Sequence, residues 1–152
     1  MQDSTSRNKH TIQLLYNNVL PLLAQHIHQN LTPIIPLFDN FVLERLLDTW
    51  TRDPATDPAE EISVENGNVH QMGLKLRLEG FRRPGVEAYD MNKNLLFILE
   101  RNSYTVGPDK HNSWLERDYG QRWEQEEYEH IAQKWSEELI DDITKRLDNL
   151  TD

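Results

Sequence analysis

The sequence predicts an α+β domain with two N-terminal helices, an antiparallel meander of about four strands and a long C-terminal helix. Three stretches carry that prediction. In Gly73-Leu74-Lys75-Leu76-Arg77-Leu78-Glu79, apolar and charged residues alternate as in a strand with one face on a core and one in water. Leu95-Leu96-Phe97-Ile98-Leu99 is an unbroken apolar run of strand length. Towards the C-terminus, Tyr128, Ile131, Ala132, Trp135, Leu139, Ile143, Leu147 and Leu150 recur at steps of three or four, the stripe of an amphipathic helix.

Taken in order, residues 1–10 form a flexible polar lead-in with no signal-peptide pattern, and residues 11–152 form a single domain. Within it, residues 11–52 read as a helical pair. Ile12, Leu15, Tyr16, Val19, Leu20, Leu23 and Ile27 make the first stripe, which Pro21 should kink or restart. Pro33 and Pro36 break the helix into an extended connector. Asp39 or Asn40 would cap a second helix from Phe41 to about Trp50, with Val42, Leu43, Leu46, Leu47 and Trp50 on one side.

Residues 53–61 are an acidic linker punctuated by Pro54 and Pro58. The sheet spans residues 62–106. Ile62–Val64 and Val69 onward flank Asn66-Gly67, a hairpin dipeptide because both residues tolerate positive φ. Val86–Tyr89 should start the next strand, Asp90–Asn94 should form a second hairpin loop, and Ser103–Val106 is a candidate fifth strand. Residues 113–150 hold the C-terminal helices. Ser113-Trp114-Leu115-Glu116 matches a capping box for a short helix ended by Gly120. From Gln121 to about Asn149 runs a helix of about 28 residues, about 42 Å long at 1.5 Å per residue. Its far end is a candidate for homo-oligomer formation.

Composition sets the bounds on function. The chain has 152 residues, no cysteine and a net charge of -10. Disulfides, thiolate nucleophiles and cysteine-based metal sites are thereby excluded, and a cytoplasmic location fits. No window approaches the roughly 18 apolar residues of a membrane span. Acids concentrate in residues 53–70 and 111–152, whereas the sheet region is slightly basic. Such a surface repels nucleic acid and anionic membranes and favours a protein partner with a basic patch.

The motifs of chemistry are missing. There is no Walker loop, dinucleotide-binding glycine motif or nucleophile elbow. Glu127-Tyr128-Glu129-His130 holds a Glu-x-x-His, half of a di-iron signature, without the second motif and the two further glutamates that a site needs. Asp90 and Glu100 flank the apolar strand as nuclease acids would, but Asn102 stands where that chemistry requires lysine. No catalytic residue, metal or cofactor is assigned.

Glu100 to Trp123 interleaves aromatics with bases, the residue types enriched at interface hot spots. The candidate partner-binding residues are Arg101, Tyr104, Trp114, Arg117, Tyr119, Arg122 and Trp123, with Arg82 and Arg83 as a basic point at a turn. The expectation is a non-catalytic interaction module, such as an adaptor, assembly factor or inhibitor, using this segment and the acidic C-terminal helix. The alternatives are a small enzyme or ligand-binding protein with a site between sheet and helices, and an acidic DNA mimic.

Overall fold

A computed structural model describes residues 4–55, 57, 59–85 and 87–151, with side chains placed from residue 8 to 148 apart from those gaps. The chain is α+β, with two N-terminal helices, a six-stranded antiparallel sheet and a long C-terminal helix. Helix α1 (Ser4–Leu14) runs through a π-helical segment (Leu15–Val19) into α2 (Leu20–Leu31). Pro21 explains the wide turn. It brings no N–H to the helical ladder, and its ring would crowd the Asn17 carbonyl four residues back. The turn loosens instead, and Leu20 N–H donates to Leu15 O, five residues away. The expected irregularity at Pro21 is thus present. The lead-in is shorter than expected, because α1 begins at Ser4 and Asn8 is already buried; Met1–Asp3 lie outside the described residues.

A 3₁₀ turn (Ile35–Leu37) containing Pro36 delivers the chain to the sheet. Its strands are β1 (Phe38–Arg45), β2 (Thr49–Thr51), β3 (Val69–Phe81), β4 (Met91–Leu99), β5 (Ser103–Gly107) and β6 (Leu115–Asp118). They lie in the order β1-β3-β4-β5-β6, and β2 also pairs with β3, beyond the end of β1. Helix α3 (Gln125–Thr151) closes the fold.

Strand β3 is the axis of the sheet, and the alternation read from its sequence is what the structure uses. Met72, Leu74, Leu76 and Leu78 are buried, while Lys75, Arg77 and Glu79, which alternate with the leucines, are only half-buried. Opposite them on β4 stand Phe97, Leu95, Lys93 and Met91. The apolar stripes of α1–α2 (Leu15, Val19, Leu23, Ile27) and of α3 (Ile131, Trp135, Leu139, Ile143) join these residues in one core. Trp135 is fully buried and its Nε1–H donates to the Asn94 carbonyl at 3.0 Å. Leu150, the last residue of the expected stripe, has a side chain outside the described set.

Four local expectations are corrected. Phe41–Trp50 is not a helix: it supplies most of β1 and the start of β2, because its backbone pairs with β3, Phe41 to Leu78 and Leu43 to Leu76. Ile62–Val64 is not a strand. Asn66-Gly67 does turn, with Gly67 at φ 87, but the strand beside Val69–Gln71 is β2. Asp90–Asn94 is not a hairpin loop, since Met91–Asn94 pairs with Leu78–Lys75 and the connection is the segment before it. Val86 itself lies outside the described residues. Ser113–Glu116 does not open a helix: Trp114 N–H donates to Val106 O at 2.8 Å, drawing the chain onto the β5 edge as β6.

Candidate functional site

The aromatic–arginine segment does not form one surface. Tyr104 and Tyr119 are core residues, 1% and 4% exposed. The Tyr119 hydroxyl donates to the Glu100 carbonyl, and burial raises the pKa of both phenols. Trp114 is half-buried beneath the Lys134 ammonium, 5.1 Å from its ring centre. Arg117 is ion-paired with Glu127, Arg82 with Asp39, and Arg101 donates twice to the Glu65 carbonyl. Arg83 is exposed in its turn beside Arg82, distant in sequence from residues 101–123. With Tyr104 and Tyr119 in the core, the segment as a whole is not a single exposed patch.

Arg122 and Trp123 are the two that converge. They stand where α3 begins and face the π-helical segment across a cleft of about 730 Å³. One wall carries Leu14, Pro21 and Leu22, and the other Trp123 and Tyr128. Asn17, Asn18, Arg122 and Gln125 supply the polar rim. The Trp123 position is set from below, where its indole N–H donates to the Tyr104 hydroxyl at 2.8 Å and its ring stacks on Phe97. The two walls are tied together by His26 of α2, which stacks on Tyr128 and contacts the Gln125 amide at 3.3 Å. Leu14 and Leu22 are 37% and 38% exposed and lie together on the cleft wall. The side chains of Arg122, Asn17 and Asn18 make no hydrogen bond or ion pair among the described residues. The sequence held a signal for this wall: Leu14 and Leu22 fall outside the helical stripe that packs on the core.

A second polar group lies at the start of β3. His70 is 4% exposed and stacks on Trp50 of β2 at 4.3 Å. Its Nε2 lies 3.5 Å from an Asp48 carboxylate oxygen and 3.5 Å from the Tyr16 hydroxyl, while Nδ1 is buried with no partner among the described residues. The Arg45 guanidinium covers the Tyr16 ring at 4.7 Å. Burial lowers the His70 pKa, and the Asp48 charge and hydrogen bond oppose that shift without overcoming it. His70 is therefore neutral in the fold at neutral pH. Because its folded pKa lies below the ordinary 6.5, the unfolded chain binds the proton more readily. This contribution to stability is complete above pH 6.5 and is lost as pH falls below it. NMR titration should place the His70 ring below 6.5, and Asp48→Asn should move it lower still by removing the carboxylate charge that raises it. A His70 midpoint at or above 6.5 in the native chain would contradict the burial account.

The chain matches no protein-family model, no curated protein sequence and no solved structure.

Proposed function

We propose that this protein is a non-catalytic interaction module that takes an apolar anchor of a protein partner into the cleft between the π-helical segment and the start of α3. The observation that carries this reading is the pairing of exposed apolar walls, Leu14, Leu22 and Trp123, with unengaged polar groups, Arg122, Asn17 and Asn18. Apolar area supplies affinity, and amide and guanidinium groups at the rim can hold a partner's main chain. The exposed acids of α3, among them Glu129, Glu137 and Asp141, favour a partner with basic side chains beside its anchor.

The test is capture of partners from the cell lysate by the tagged wild-type chain and by the variants Leu22→Asp, Arg122→Glu and, away from the cleft, Lys75→Glu. A stoichiometric partner should be retained by wild type and Lys75→Glu, and weakened about tenfold or more by Leu22→Asp, as for truncation of an interface anchor. A photo-crosslinker at position 22 should join the same partner. A partner held equally by all variants would move the contact elsewhere on the molecule.

A further inference from the structure

The outer edge of β1 is free of any strand among the described residues. Leu46 N–H donates to Gly73 O, so Val42 and Glu44, in phase with it, turn their main chain towards β3. Phe41, Leu43 and Arg45 then present N–H and C=O groups outward. An open edge carrying Phe41-Val42-Leu43, with neither proline nor lysine to blunt it, is a template for another strand.

We propose that the occupant of this edge is a second copy of the chain, paired antiparallel about a two-fold axis at Val42. The residues themselves select that register. With Val42 opposite Val42 of the copy, Phe41 faces Leu43 and Asp39 faces Arg45, each twice by symmetry. The outward main chains of Phe41 and Leu43 meet as a hydrogen-bonded pair, and Val42 occupies the non-hydrogen-bonded position on the axis. All opposed residues lie on matching faces of the sheet, so the helical layers of both copies fall on one side. Shifting the axis by one residue puts Asp39 opposite Leu43 or Phe41 opposite Arg45, and loses the charge match. Asp39 already holds Arg82 and Arg45 lies over Tyr16, so both charged groups are placed at the edge by their own chain.

The experiment uses sedimentation of the full chain from micromolar to sub-millimolar concentration. Wild type should reach twice the 18.0 kDa chain mass. Asp39→Arg and Arg45→Asp should each lose the dimer, because like charges then oppose one another. An equimolar mixture of the two should recover it, since in the mixed pair positions 39 and 45 again carry opposite charges at both symmetry-related contacts. The chain has no cysteine, so Val42→Cys should form an intermolecular disulfide under mild oxidation, and Asn92→Cys on β4 should not. A wild type that stays monomeric would overturn the proposal. So would a dimer indifferent to both charge reversals, as one through the end of α3 would be. If a charge variant fails to show the native circular dichroism, the Val42→Cys crosslink decides.

Discussion

Gly73→Ala is expected to cost on the order of 3–5 kcal/mol of stability, the range reached when a substitution forces a steric conflict in packed backbone. Gly73 has φ 152, and a Cβ added to it would lie 1.9 Å from the Leu95 carbonyl oxygen across the β3–β4 ladder. That neighbour is backbone, so it cannot swing aside as a long side chain would. Relief requires β3 and β4 to separate at the middle of the sheet, where Met72 and Phe97 pack beside the site. Gly120→Ala is the control: nothing lies within 4 Å of its added Cβ and its φ is not positive. It should be neutral or gain a few tenths of a kcal/mol through the unfolded state. Urea unfolding followed by circular dichroism, at one protein concentration because self-association would shift the midpoint, measures both. A Gly73→Ala loss under about 1 kcal/mol would mean the strands are not in this register.

Trp135→Ala is the second large effect, about 3–5 kcal/mol, the usual cost of removing a buried Trp side chain. The ring is fully buried where α3 crosses β4, its N–H satisfies the Asn94 carbonyl, and the Lys93 ammonium lies 5.8 Å from its centre. Lys93 is the polar residue on the core face of β4. It reaches Glu138 at 2.8 Å, with Asp142 at 3.8 Å, so the same turns of helix supply both the apolar plug and the counter-charges. Trp135→Phe keeps most of the apolar volume but leaves the Asn94 carbonyl without its donor, and should cost about 1–3 kcal/mol. Since domains of this size are stable by about 5–15 kcal/mol, the alanine variant should be partly unfolded at modest urea. Equal losses for alanine and phenylalanine would assign the effect to the hydrogen bond instead of to packing.

The elements legible in the sequence are those whose signal is local. The alternation of Leu74, Leu76 and Leu78 with charges identified β3, the stripe from Tyr128 to Leu147 identified α3, and Pro21 marked the irregular turn. The α+β class followed from these. The elements that were misread are those held by distant partners. Val42, Leu43, Leu46 and Leu47 have helical spacing, yet the same residues also alternate, Phe41 and Leu43 to one side and Val42 and Glu44 to the other. Pairing with β3, about thirty residues later, selects the second period, because an edge strand forms only when its backbone has a ladder to join. Ser113 likewise carries a sound capping pattern, overridden by the free edge of β5.

The candidate sites divide in the same way. That Arg122 and Trp123 belong to an interaction-prone composition could be read from their neighbours in the chain. Their union with Leu14, Leu22 and Asn17 could not, since they lie far apart along the chain and the meeting depends on α2 packing against α3. Nothing in the sequence marks His70: β2 brings Trp50 over it and the helix brings Tyr16. Periodicity and proline placement, which act over a few residues, determined the class of fold, the central strand and the long helix. Which aromatics are buried, where the cleft opens and which edge is left unpaired were decided by tertiary structure, because burial and strand pairing are properties of groups brought together from far along the chain.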